Sequence, residues 1–127
     1  MECQNEIIGQ LKVLATDVNR FEGIGWWNFE YGGYRMVFIP GNESSNTIRI
    51  CVPHFGSAGR YHKERLLAAI NETNREVRYV KVVILDNGSV SLNYDHKYDT
   101  SGDLRPILLH MMDTLCFAAG YLKKKNS

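Results

Sequence analysis

The sequence predicts an α+β fold in the order α-β-β-β-α-β-β-α, with helices packed mainly on one face of an antiparallel sheet. Two glycine-bearing turns predict the sheet. Asn87-Gly88 divides VRYVKVVILDNGSVSLNYDH, and Gly32-Gly33 divides WWNFEYGGYRMVFIP. Such pairs accept the positive φ angles of tight hairpins, and each lies between runs of alternating character. Three other stretches carry apolar residues three and four apart, the spacing of a helix with one face to bury.

The first helix is predicted over Glu6 to Phe21, where Ile7, Ile8, Leu11, Leu14, Ala15, Val18 and Phe21 share one side. Asn5 is its candidate N-cap, and Gly23 ends it. In the hairpin that follows, placing Tyr31 against Tyr34 sets Phe29 against Met36 and Trp27 against Phe38, a wholly apolar face. Thr47 to Val52 is the third strand, its even-numbered Ile48, Ile50 and Val52 continuing that face.

After a link over Phe55 to Gly59, the second helix is predicted over Arg60 to Glu76, with Tyr61, Leu66, Leu67 and Ile70 as its apolar part. The second hairpin, read with a two-residue type I′ turn, sets Leu85 against Val90, Val83 against Leu92 and Lys81 against Tyr94. That register sends Val80, Val82 and Ile84 to the outer face with Ser91, Asn93 and Asp95. The last helix is predicted from Leu104 to Leu122, behind the capping run Thr100-Ser101-Gly102-Asp103. Pro106 is tolerated in its first turn, where backbone donors have no partner within the helix. Residues 123–127 read as a solvated basic tail.

The 127 residues suit a single domain spanning 1–127. A hydrophobic fraction of 44% beside a net charge of +1 excludes disorder and leaves no basic footprint for nucleic acid. No apolar run approaches the roughly 18 residues of a membrane span. MECQNEIIGQ is acidic where a signal peptide is basic, so a cytoplasmic protein without a membrane partner is expected. Cys3, Cys51 and Cys116 are odd in number and widely spaced, which fits reduced thiols.

The run RLLAAINETNREVRYVKVVILDNGSVSLNYDHKY, followed by the helix from Leu104 to Leu122, resembles the YbjN and type III secretion chaperone-like family. The shared layout is a helix ending near an Asn, a hairpin whose second strand closes on a Tyr-Asp pair, and a long amphipathic helix. The resemblance implies a small dimeric α+β domain without catalytic residues, a chaperone-like or regulatory adaptor that binds another polypeptide.

The residues carrying chemistry point the same way. Cys51 and His54 have a C-x-x-H spacing, but a zinc site takes four ligands and no second pair matches. His54, His62, His96 and His110 are scattered, and no Gly-x-Ser-x-Gly elbow occurs. Asp86, Asp95, Asp99 and Asp103 read as turn and cap residues. No metal or cofactor is therefore expected.

Five strands present two faces, and three helices of this length cover one. The outer face, with Arg35, Val37, Ile39, Arg49, Cys51, Val80, Val82 and Ile84, is the predicted surface for a second copy or a protein or peptide partner. The alternative is a small-molecule or anion-binding domain, a degenerate enzyme among its forms, using the link from Phe55 to Arg60. In that link Gly56-Ser57-Ala58-Gly59 precedes a helix start.

Overall fold

The computed structural model describes residues 2–41, 46–57, 63–98 and 102–126. Three helices and a six-stranded antiparallel sheet form an α+β fold: α1 (Glu2–Leu14), β1 (Thr16–Arg20), β2 (Trp27–Tyr31), β3 (Tyr34–Pro40), β4 (Thr47–Ser57), α2 (Lys63–Glu76), β5 (Val80–Ile84), β6 (Ser89–Lys97) and α3 (Leu104–Lys125). The strands lie in the order β1-β2-β3-β4-β6-β5. Through α2 the chain crosses from β4 to the far edge, and β6 returns between them.

The β2–β3 hairpin has the predicted register, Trp27 opposite Phe38, Phe29 opposite Met36 and Tyr31 opposite Tyr34. Gly32 and Gly33 turn it with φ of 60° and 86°. Gly32 has a second reason to be glycine: a Cβ there would stand 2.6 Å from the Cys116 Sγ on α3. The hairpin tip thus packs directly on the last helix.

The second hairpin is shifted by one residue from the predicted register. Val80 pairs with Tyr94, Val82 with Leu92 and Ile84 with Val90. Its loop is the three residues Asp86, Asn87 and Gly88, closed by Leu85 N–H to Ser89 O at 2.8 Å, and only Gly88 takes a positive φ, 86°. The Asn87 side chain accepts from the Ser89 N–H at 2.9 Å and the Ser89 hydroxyl at 2.7 Å, a local turn that competes with type I′ geometry. A one-residue slip reverses every side chain of a strand. Val80, Val82 and Ile84 therefore face the core, and Lys81 and Val83 take the outer face. The predicted register would have buried a lysine opposite Tyr94, a costly exchange for Val80.

A further strand stands where the first helix was expected to continue. α1 stops at Leu14, and Thr16 to Arg20 pairs with β2 through a bulge between Thr16 and Asn19, with Asp17 at φ 52°. Val18 keeps the helical spacing, but Thr, Asp, Val and Asn are all weak helix formers and suit an edge strand. β4 also outruns its prediction, reaching Ser57 past an irregularity between Val52 and Gly56, so Phe55 and Gly56 are strand rather than link. The remainder of that link, residues 58 and 59, lies outside the described residues, as do the predicted start of the second helix, Arg60, Tyr61 and His62, and the residues Asp99, Thr100 and Ser101.

One core lies between the helices and one sheet face. Phe29, Phe38, Ile50 and Leu92 from the sheet meet Ile7 and Leu11 of α1, Leu66 and Ile70 of α2, and Leu108, Met111, Met112 and Leu115 of α3. Leu67, predicted for the apolar side of α2, is 45% exposed. Asp103 caps α3 by accepting from the Arg105 N–H at 3.1 Å. The basic tail is largely helical. Lys123 lies over the rings of Tyr34 and Phe55 at 4.9 and 5.5 Å, favourable positions at a helix C-terminus and beside aromatic faces.

Candidate functional site: the uncovered face of the sheet

Alternation decides what the second face presents. Asn28 and Glu30 come from β2; Arg35, Val37 and Ile39 from β3; Arg49 and Cys51 from β4; Ser91, Asn93 and Asp95 from β6; Lys81 and Val83 from β5. Among the described residues, no helix packs on this face, and Val37 and Cys51 are buried without belonging to the helix-covered core. They pair with each other at the centre, 8% and 6% exposed. Long side chains can shield such a centre, stems along apolar surface and heads in water, and Arg35 and Arg49 stand two residues from Val37 and Cys51 on the same strands.

Two ion pairs flank that centre. Arg49 meets Asp95 across β4 and β6, Nε to Oδ1 at 2.6 Å and Nη2 to Oδ2 at 3.0 Å. Arg35 meets Asp17 at 2.7 Å, has Glu30 at 3.6 Å, and also donates to the Asn28 side chain. The hydrogen bond from Asn19, then that from Arg35, holds the Asp17 carboxyl below its ordinary range. The bond to Asp95 raises Arg49 further. Burial pushes the Cys51 thiol up to about 11, so it behaves as a small hydrophobe and not as a nucleophile. Beside Ile39, Pro40, Arg49 and Asp95 the face dips into a shallow hollow of about 240 Å³.

Of the predicted surface, Arg35, Val37, Ile39, Arg49 and Cys51 thus come together, while Val80, Val82 and Ile84 are on the opposite side. Lys81 and Val83 replace them. The signal for this was Lys81 itself, the one charged residue in its alternation. His54 is exposed at φ 54°, and among the described residues no group of three His, Cys, Asp or Glu could hold a metal ion. Asp86 sits in the hairpin loop, Asp95 in an ion pair and Asp103 at a cap.

Two other places collect polar groups. Near the predicted Phe55 link, a hollow of about 40 Å³ is lined by Phe55, Gly56, Leu66, Val90, Leu122, Lys123 and Asn126, and the buried Asn126 Oδ1 has no hydrogen-bond partner. At one end of β5, Tyr79 stacks on Tyr94 with centroids 5.8 Å apart, and Tyr94 Oη lies 2.9 Å from His110 Nδ1. Desolvation, then the charge of His110, lowers the pKa of His96 nearby. Phe117, 64% exposed on α3, is a further large apolar residue at the surface, and its position beside the buried Ala118 and Ala119 gives it no signal of its own in the sequence.

Among known proteins, the model of the YbjN family, described as "Putative bacterial sensory transduction regulator", matches residues 15–112. The fold is similar to that in the crystal structure of an uncharacterized protein from Methanothermobacter thermautotrophicus, with a TM-score of 0.60 and 12% identity. That likeness covers 98% of this chain and 99% of the other. No curated protein matches. Among the described residues, no helix is long and apolar enough to cross a membrane.

Proposed function

The chain belongs to the YbjN family, and from that membership we propose a regulatory or chaperone-like adaptor that performs no chemistry and works by binding protein. Its first partner is a second copy, held through the uncovered sheet face. The observation that carries this reading is the arrangement of that face, an apolar centre at Val37 and Cys51 between the pairs Arg49–Asp95 and Arg35–Asp17. In a twofold contact a surface meets itself, so it must carry both signs of charge in balance. Here each arginine brings its own carboxylate. Free Cys51 and Cys116 suit a reducing compartment, and we place the protein in the cytoplasm.

The alternative, a small-molecule or anion site, has the unpartnered Asn126 Oδ1 behind it. Its hollow of about 40 Å³ has room for little more than water, since one water needs about 10–15 Å³. The protein-binding reading is therefore preferred.

Amine cross-linking followed by mass spectrometry tests it. Lys81, on the uncovered face, should form links between copies, whereas Lys63 on α2 should not. Intermolecular links confined to the helical side would overturn the proposed surface.

A further inference from the structure

β5 is an edge strand with β6 as its one neighbour. Leu85 gives its N–H to Ser89, so the odd-numbered residues of this strand direct their backbone groups toward β6. Val80, Val82 and Ile84 then turn theirs outward. Such a row is a template for another strand.

Asn74 interrupts that row at its middle. From the last turns of α2 its Oδ1 accepts the Val82 N–H at 2.8 Å, and its Nδ2 donates to the Val82 carbonyl at 3.1 Å. A side-chain amide carries the same donor and acceptor as a peptide group. Asn74 therefore stands where one residue of an added strand would stand. The opposite edge, β1, is protected by other means, the bulge at Asp17 and exposed polar side chains.

We propose that Asn74 holds the β5 edge shut against antiparallel pairing with β5 of a second copy. Pairing centred on Val82 about a twofold axis sets Val80 opposite Ile84 and Lys81 opposite Val83, so no lysine meets its own copy. Leu85, just past the strand, is a large apolar residue left 42% exposed beside this edge.

Sedimentation velocity of the full chain and of Asn74→Ala over a concentration series tests this. Asn74→Ala should reach twice the mass of the wild type at equal concentration. A folded Asn74→Ala that keeps the wild-type mass throughout overturns the proposal. Should the variant not fold, amide exchange in the wild type decides: the Val82 amide should exchange about tenfold more slowly than those of Val80 and Ile84, the factor one hydrogen bond supplies. Equal rates would overturn it. The test reads a ratio of variant to wild type, so it stands apart from whether the wild type itself is a dimer through its uncovered face.

Discussion

Arg49 and Asp95 face each other across the neighbouring strands β4 and β6, joined by two nitrogen–oxygen contacts at 2.6 and 3.0 Å on a face that no helix covers among the described residues. Their side chains are 43% and 49% exposed. Water competes for both groups, so the pair contributes no more than about 1 kcal/mol to folding. Arg49→Ala should melt within a few degrees of the wild type, and thermal denaturation by circular dichroism checks it. A loss of self-association far larger than that small change in stability would place the pair in a contact between copies.

Neighbouring positions on β5 should behave in opposite ways. Val82 is 3% exposed in the core, and Val83 points to the uncovered face. Val82→Asp buries a carboxylate without a partner and should cost several kcal/mol, enough to threaten a domain of ordinary stability. Val83→Asp should fold and melt near the wild type. Urea titration of both variants distinguishes this register from the one-residue alternative, which predicts the reverse.

Gly32 carries two constraints at once. Its φ of 60° costs a side chain about 1–2 kcal/mol, and a Cβ would meet Cys116 Sγ at 2.6 Å. Gly32→Ala should therefore destabilise by more than the backbone term alone. Adding Cys116→Ala should recover the clash and leave the backbone cost, which a double-mutant cycle in urea measures.

Tyr31 donates to Asp113 Oδ1 at 2.6 Å, and that bond, followed by desolvation, raises its pKa to about 12. The folded state holds the proton more tightly than an unfolded tyrosine with a value near 10. The resulting stability is fully present below about pH 10 and is lost as pH rises toward 12. Asp113→Asn should bring one tyrosine back toward ordinary titration, read from tyrosinate absorbance.

The β2–β3 hairpin was legible because two independent signals agreed there. Gly32-Gly33 and the large apolar alternation of Trp27, Phe29, Met36 and Phe38 name the same register. At Asn87-Gly88 they did not. That dipeptide serves both a two-residue turn and a three-residue loop with glycine last, and β5 is apolar at even and odd positions alike, apart from Lys81. The choice of loop decided which valines are core, and with it half of the predicted surface. β1 was hidden for a related reason: Val18 satisfies the spacing of α1 while belonging to a strand. Asn74 left no sequence signal, since its role depends on α2 lying beside an edge that only the strand order reveals.

The proposed dimer joins two copies through the face bearing Val37, Ile39, Cys51 and Arg49. Sedimentation equilibrium of the wild type and of Ile39→Asp, a variant with a charge at a half-buried position of that face, tests it most directly. Pairing through this face gives twice the chain mass for the wild type and the single-chain mass for Ile39→Asp, with unchanged circular dichroism. A wild type at the single-chain mass at every concentration, or an Ile39→Asp variant that stays paired, would contradict it.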